Sequence, residues 1–166
     1  MRFVGIDLST KTGLVILNES GQVINEEEIT SNQEDPARMC EIVAKIMNQI
    51  DERDFIAIEG FSYGSRGRGI GFQFGLGYAL RIELYKQGYN YLIVTPAQVK
   101  KYATGKGNTS KDNMILPIYK KWGFEHDSDN VRDAYVLARI GYDMHNGKDL
   151  HKYEKEIIND LKGVAK

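Results

Sequence analysis

The chain has 166 residues, 42% hydrophobic and 27% charged, with 22 basic against 23 acidic side chains and a formal net charge of −1. That length holds one domain with a real core, read here as spanning 1–166, and argues against two independent domains. A single cysteine, Cys40, excludes a disulfide framework and a cysteine-built zinc site.

It also fits a reducing cytosol. No apolar run approaches the roughly 18 residues that span a bilayer. The first residues turn acidic at Asp7, too soon for a signal peptide. The expectation is a cytoplasmic protein with no membrane partner.

In chain order, three short apolar runs read as strands: Phe3 to Leu8, Gly13 to Leu17 and Gln22 to Thr30. The gaps between them are short and rich in turn residues, which favours antiparallel neighbours. Asp35-Pro36 reads as an N-cap followed by proline in the first turn. Met39, Val43, Ile46, Met47 and Ile50 then recur at helical spacing, so a helix is expected over 36–51 with Cys40 buried beside its stripe. Phe55 to Glu59 is apolar enough for a central strand covered on both faces.

A loop over 60–68 leads into a glycine-rich helix at 70–87, then a strand at Tyr91 to Val94. Thr95-Pro96 opens a short helix through Lys101, and Ala103 to Asn108 reads as a loop. Ser110 to Trp122 reads as a helix with Pro117 as a possible interruption. Asp129 to Asn146 and about 149–162 are the last two helices. Hairpin-connected strands followed by βαβα define an α/β fold with a mixed sheet.

Two carboxylates sit where strands seldom carry them. Asp7 is near the end of the first strand and Glu59 ends the fourth. If those strands are neighbours, the side chains meet at one sheet edge. The helix that opens Asp129-Asn130-Val131-Arg132-Asp133 offers further oxygens, because Asp129 and Asp133, and Asn130 and Asp133, share a helix face. Asp7 also reads as a turn residue and Asp129 as an N-cap. Converging carboxylates repel and raise one another's pKa. A divalent cation resolves that conflict, and oxygen ligands suit magnesium or manganese. Two such ions about 4 Å apart can activate a water and stabilise the leaving oxygen of a phosphodiester.

The neutral total hides a segregated charge. Residues 1–60 carry 5 basic and 12 acidic side chains, a net of −7. Residues 61–122 carry 10 and 2, a net of +8, and residues 123–166 carry 7 and 9, a net of −2. A phosphate backbone is the natural partner of the basic third. Within it, Phe61, Tyr63, Arg66 and Arg68 place rings and guanidiniums on one loop, a combination suited to stacking on, or wedging into, distorted nucleic acid. Gly105-Lys106-Gly107 lacks the spacing of a Walker A loop, and Gly67-Arg68-Gly69-Ile70-Gly71 lacks the third glycine of a dinucleotide fingerprint, so no nucleotide cofactor is expected. Gly71, Gly75 and Gly77 inside a helix suggest a close approach of another backbone, within the fold or across a dimer.

Taken together, Gly5-Ile6-Asp7 with Thr12-Gly13, Ile56-Ala57-Ile58-Glu59, Thr95-Pro96-Ala97-Gln98-Val99-Lys100-Lys101 with Gly105, Gly107 and Lys111, and Asp133-Ala134 resemble the RuvC family of Holliday-junction resolvases, within the RNase H-like nucleases. The likeness covers most of the chain and looks like that of phage-encoded members. It implies an RNase H-like fold, a mixed five-stranded sheet with helices on both faces. It further implies a homodimeric, magnesium-dependent endonuclease, manganese substituting, that uses two ions per site to nick opposing strands of a four-way junction.

By the same resemblance Asp7, Glu59 and Asp133 are metal ligands, while Lys100 and Lys111 contact phosphates at the scissile bond. Lys101 and Lys106 join Phe61, Tyr63, Arg66 and Arg68 as DNA-binding residues. Two positions depart from the family. Asn130 stands where an aspartate or histidine ligand is usual, so Asn130, Asp129 or Asp127 completes the set. Ser62 stands where an aromatic wedge is usual, flanked by Phe61 and Tyr63. Two other readings are a non-catalytic branched-DNA-binding module and a sugar-kinase-like phosphotransferase. The second rests on Asp7-Leu8-Ser9-Thr10-Lys11-Thr12-Gly13, but 166 residues cannot supply its two lobes.

Overall fold

The computed structural model describes residues 1–62 and 69–164. Five strands form one mixed sheet: β1 (Phe3–Asp7), β2 (Thr12–Leu17), β3 (Val23–Ile29), β4 (Phe55–Glu59) and β5 (Tyr91–Val94). Their spatial order is β3-β2-β1-β4-β5. The first three are antiparallel neighbours, as their short turns require, and β4 and β5 continue parallel beyond β1. Six helices complete the chain: α1 (Ala37–Met47), α2 (Ile70–Lys86), α3 (Pro96–Thr104), α4 (Ile115–Trp122), α5 (Asp129–Asn146) and α6 (Lys152–Val164).

Alternation along the strands divides the core in two. Val4, Ile6, Ile56 and Ile58 face a cluster closed by Ile42 and Ile46 of α1 and by Phe72, Leu76, Leu80 and Leu84 of α2. Phe3 and Ala57 face the other cluster, built from α3 to α6. Asp7 and Glu59 belong to the parity of Phe3 and Ala57, and so point to the α5 side.

Two glycines set how closely α5 lies on that face. A Cβ on Gly5 would collide with the Ala134 carbonyl oxygen and stand 2.6 Å from the Ala138 nitrogen. One on Gly13 would collide with the Asn130 carbonyl and stand 2.7 Å from the Val131 nitrogen. The α5 backbone therefore rests directly on β1 and β2.

Local chemistry moved several boundaries. Asp35 does not cap α1: its carboxylate takes two bonds from the Arg38 guanidinium, at 2.9 and 2.7 Å, and Pro36 itself occupies the cap position. The helix stops at Met47 rather than 51. Cys40 is exposed, not buried, because Ile42, Val43 and Ile46 form the buried face of α1. α3 runs on to Thr104 and ends at Gly105 in the left-handed region. The expected helix from Ser110 divides into a 3₁₀ turn over Asp112–Met114 and α4. That division places Pro117 in the first turn of α4, where a missing N–H costs little.

Ser128, not Asp129, caps α5, its hydroxyl accepting from the Val131 N–H at 3.4 Å. The helical glycines meet side chains, not a backbone: Gly75 faces Met39, Gly77 faces the Phe61 ring, and Gly71 meets nothing within 4 Å. Among the described residues, no helix is long and apolar enough to cross a membrane.

Candidate active site

The sheet register brings the first two carboxylates together. Ile6 lies opposite Ile58 in the parallel β1/β4 pair, so Asp7 stands level with Glu59 on the same face. α5, seated on Gly5 and Gly13, presents Asp133 from above. Asp7 and Asp133 are each only 4% exposed, and the charge of Asp133 acts on the proton affinity of Asp7.

The consequences are electrostatic. Burial, and then the charge of Asp133, push Asp7 up to about 7 against the pull of Lys111. Burial, and then the charges of Asp7 and Asp133, push Glu59 up to about 10. Burial also raises Asp133, although Lys111 opposes it. Asp7 Oδ2 is buried with no N–H or hydroxyl donor beside it, and Asp7 and Glu59 share a side-chain hydrogen bond that requires a proton kept on Glu59. In a dry, acidic site a cation can take the part of that proton.

Part of that demand is met by Lys111. Its ammonium lies 2.8 Å from Asp129 Oδ2 and 3.2 Å from Asp133 Oδ2. Burial works to lower the lysine's proton affinity, but Asp133, the bond to Asp129 and the charge of Asp7 outweigh it and hold the group above an ordinary lysine. Asp129, released from capping, is held below the usual carboxylate range: burial acts upward, and the bond and charge of Lys111 prevail.

Asn130 donates its amide N–H to the Lys11 carbonyl at 2.7 Å and turns Oδ1 toward Lys111, 3.5 Å away. That arrangement leaves an oxygen, not an N–H, facing the acidic cluster. Among the described residues, no three His, Cys, Asp or Glu side chains close into a ready-made metal cage; Asp133 leans toward Lys111. The donor chemistry still fits a hard divalent cation: oxygen groups throughout, around an acidic charge that a lysine offsets only in part.

The other sequence candidates divide. Lys100 is half-buried on α3 and Lys106 is exposed just past its end. The α3 start is set by a reciprocal cap between Thr95 and Gln98. Lys101 pairs with Glu156 of α6 at 3.2 Å. Phe61 packs on α2, stacked against Phe74 with ring centroids 4.3 Å apart. Tyr63, Arg66 and Arg68 lie outside the described residues. Sequence reading named Gly5 and Gly13 only within the family resemblance and gave them no packing role; a glycine within an apolar strand was the available signal. It also passed over Arg81, whose place beside Phe61 leaves no trace in local pattern.

The sheet order and the α5 crossing form an RNase H-like fold, a mixed five-stranded sheet with helices packed on it. The comparisons with solved structures agree. The chain is similar to a Thermus thermophilus RuvC structure at a TM-score of 0.69 and 18% identity, covering 89% of this chain and 97% of that one. It is also similar to T. thermophilus RuvC in complex with a Holliday junction substrate, at a TM-score of 0.66 and 17% identity, covering 100% and 98%. No family model and no curated protein matches the sequence. At this identity the likeness is one of fold.

Proposed function

We propose that the protein is a divalent-metal-dependent endonuclease that resolves four-way DNA junctions, and cuts related branched DNA, by paired nicks. One observation carries the reading. Asp7, Glu59 and Asp133, from three separate elements, are gathered at one sheet edge, with Asp7 and Glu59 buried and sharing a hydrogen bond and a lysine drawn in to offset their charge. A structural role would have favoured apolar residues there. The fold likeness to a RuvC chain held with a Holliday junction supports the substrate class.

In this reading Asp7, Glu59 and Asp133 would hold magnesium or manganese, with Asn130 Oδ1 or Asp129 as a further ligand. When bound, two such ions supply the charge that favours hydroxide formation and stabilises the leaving oxygen of a phosphodiester. The protein's own groups do the rest. Glu59, pushed to about 10, keeps its proton until positive charge joins the site. Lys111 lies where phosphate charge would be neutralised as it develops. Lys100 and Lys106 offer further phosphate contacts. Paired nicks need two sites, so the active species would be a homodimer.

The experiment is direct. Purified protein is incubated with a synthetic four-way junction, a fork, a flap and linear duplex, with magnesium, manganese or EDTA. Symmetrical, metal-dependent nicking of the junction is expected. Asp7→Asn should lower the cutting rate by at least about a hundredfold while junction binding is retained. Junction binding without cutting under either metal would overturn the nuclease in favour of a binding module.

A further inference from the structure

Phe61 is two residues beyond Glu59 and opens the basic loop. Its composition suits a ring inserted into DNA, yet the structure engages it elsewhere. Phe74, Gly77, Tyr78 and Arg81 recur at three- and four-residue spacing and form one stripe along α2. Phe61 lies across it. Its ring stacks on Phe74 at 4.3 Å and 17°, leans against Tyr78 at 5.3 Å, and carries the Arg81 guanidinium 4.2 Å from its centroid.

Gly77 is the notch in the stripe. A Cβ there would collide with the ring, standing 2.8 Å from Cζ. A glycine in mid-helix costs on the order of 1 kcal/mol relative to alanine, and here the contact with Phe61 accounts for it. Arg81 Nε and Nη2 are buried and find no acceptor among the described residues, so the ring face is the partner that the structure gives this cation.

We infer that Phe61 is a positioning residue, seated in an α2 notch, that anchors the end of β4 and so holds Glu59, rather than the ring that enters DNA. The backbone supports this. β4 pairs with β5 as far as Glu59 opposite Val94, and the Gly60 N–H still reaches the Val94 carbonyl at 2.7 Å. The next residue is Phe61, so the Glu59 carboxylate is held between sheet pairing on one side and the seated ring on the other. A cavity of about 40 Å³ lined by Leu8, Glu59, Gly60, Phe61, Ser62 and Gln73 lies at this junction, so a displaced ring gives Glu59 room to move. The catalytic part of the inference rests on the nuclease reading; the seat does not.

The test is a double-mutant cycle with Phe61→Leu and Gly77→Ala, read in four ways on the full-length protein: thermal midpoint, junction affinity, single-turnover cutting, and the fluorescence of 2-aminopurine at the junction centre. Each single variant is expected to slow cutting about tenfold, by misplacing Glu59, while affinity stays within about twofold. The fluorescence rise on binding is expected to be unchanged. Both the thermal and the kinetic effects should be less than additive, because Gly77→Ala has nothing to displace once the ring is gone. Arg81→Met replaces Gly77→Ala if that variant does not fold.

Loss of the fluorescence rise and weaker junction binding in Phe61→Leu, with Gly77→Ala neutral, would overturn the inference and make Phe61 the inserted ring. If the wild-type protein cuts no branched DNA, the nuclease reading fails. The thermal cycle alone then decides the seat, additivity overturning it and non-additivity supporting it.

Discussion

Above neutral pH an ionised Asp7 faces the charge of Asp133 in a site from which water is largely excluded. The folded-state pKa of Asp7 is raised to about 7, while the unfolded chain titrates near 4. Between those values the native state holds a proton that the unfolded state has lost, so stability falls as pH rises through the window. Glu59, raised to about 10, extends the fall to higher pH. In EDTA the thermal midpoint is therefore expected to drop between pH 5 and pH 8. Asp7→Asn should remove much of that drop, a difference on the order of 3 kcal/mol. Differential scanning calorimetry of both proteins checks this; an equally steep decline in Asp7→Asn would refute the assignment. Added magnesium should restore the midpoint at pH 8 by binding the ionised native site.

The carboxylates themselves were legible because strand ends are costly places for acids. The pairing of Lys111 with Asp129 was not. It depends on Ser128 taking the cap of α5, and a run of Asp127, Ser128 and Asp129 offers three residues equally able to do so.

At the scale of elements, the site is assembled by how closely α5 approaches β1 and β2. Gly5→Ala would drive a methyl into the Ala134 carbonyl and the Ala138 amide, groups already committed to helix bonds. Either α5 lifts and carries Asp133 from Asp7, or the strand shifts. Such overpacking against backbone is expected to cost on the order of 3 kcal/mol and to reduce cutting even where the variant folds. Chemical denaturation and a single-turnover assay check both effects, and wild-type values in both would contradict the close approach.

The α3 start is a gentler case. Thr95→Ala removes a reciprocal cap and should cost about 1 kcal/mol. Each described strand and helix was legible to within a few residues, from apolar runs, helical periodicity or a Thr-Pro start, with the Ser110 helix divided by its 3₁₀ turn. What pattern could not supply was the competition between neighbours: Arg38 taking Asp35 from its cap, or α1 turning Cys40 outward. Those outcomes depend on three-dimensional partners that local spacing does not encode.

At the scale of the whole molecule, the basic third of the chain meets acidic neighbours that the count of +8 ignores. Lys101 is paired with Glu156, Lys121 with Glu154, and Lys111 with Asp129 and Asp133. Lys121 is further committed to the Tyr102 carbonyl and the faces of Trp122 and Tyr102. It is a packing group between α3, α4 and α6. Lys100, Lys106 and Lys120 form no ion pair among the described residues, and these three cations of the basic third remain for phosphates.

Each phosphate neutralised releases condensed counterion, so with these three cations engaged log Kobs against log[salt] should slope at about −2.7 per engaged chain, a loss of roughly 40-fold between 50 and 200 mM salt. Lys106→Ala should flatten that slope by about 0.9 per engaged chain. Lys101→Ala should leave it unchanged, because Glu156 already holds that charge. A fluorescence-anisotropy titration of a four-way junction over the salt range distinguishes the two variants. If Lys101→Ala flattens the slope as much as Lys106→Ala does, the Lys101–Glu156 pair opens on DNA and the basic face extends to α6. If neither variant changes it, the phosphates lie against another surface, and the segregation of charge along the sequence does not correspond to a binding face.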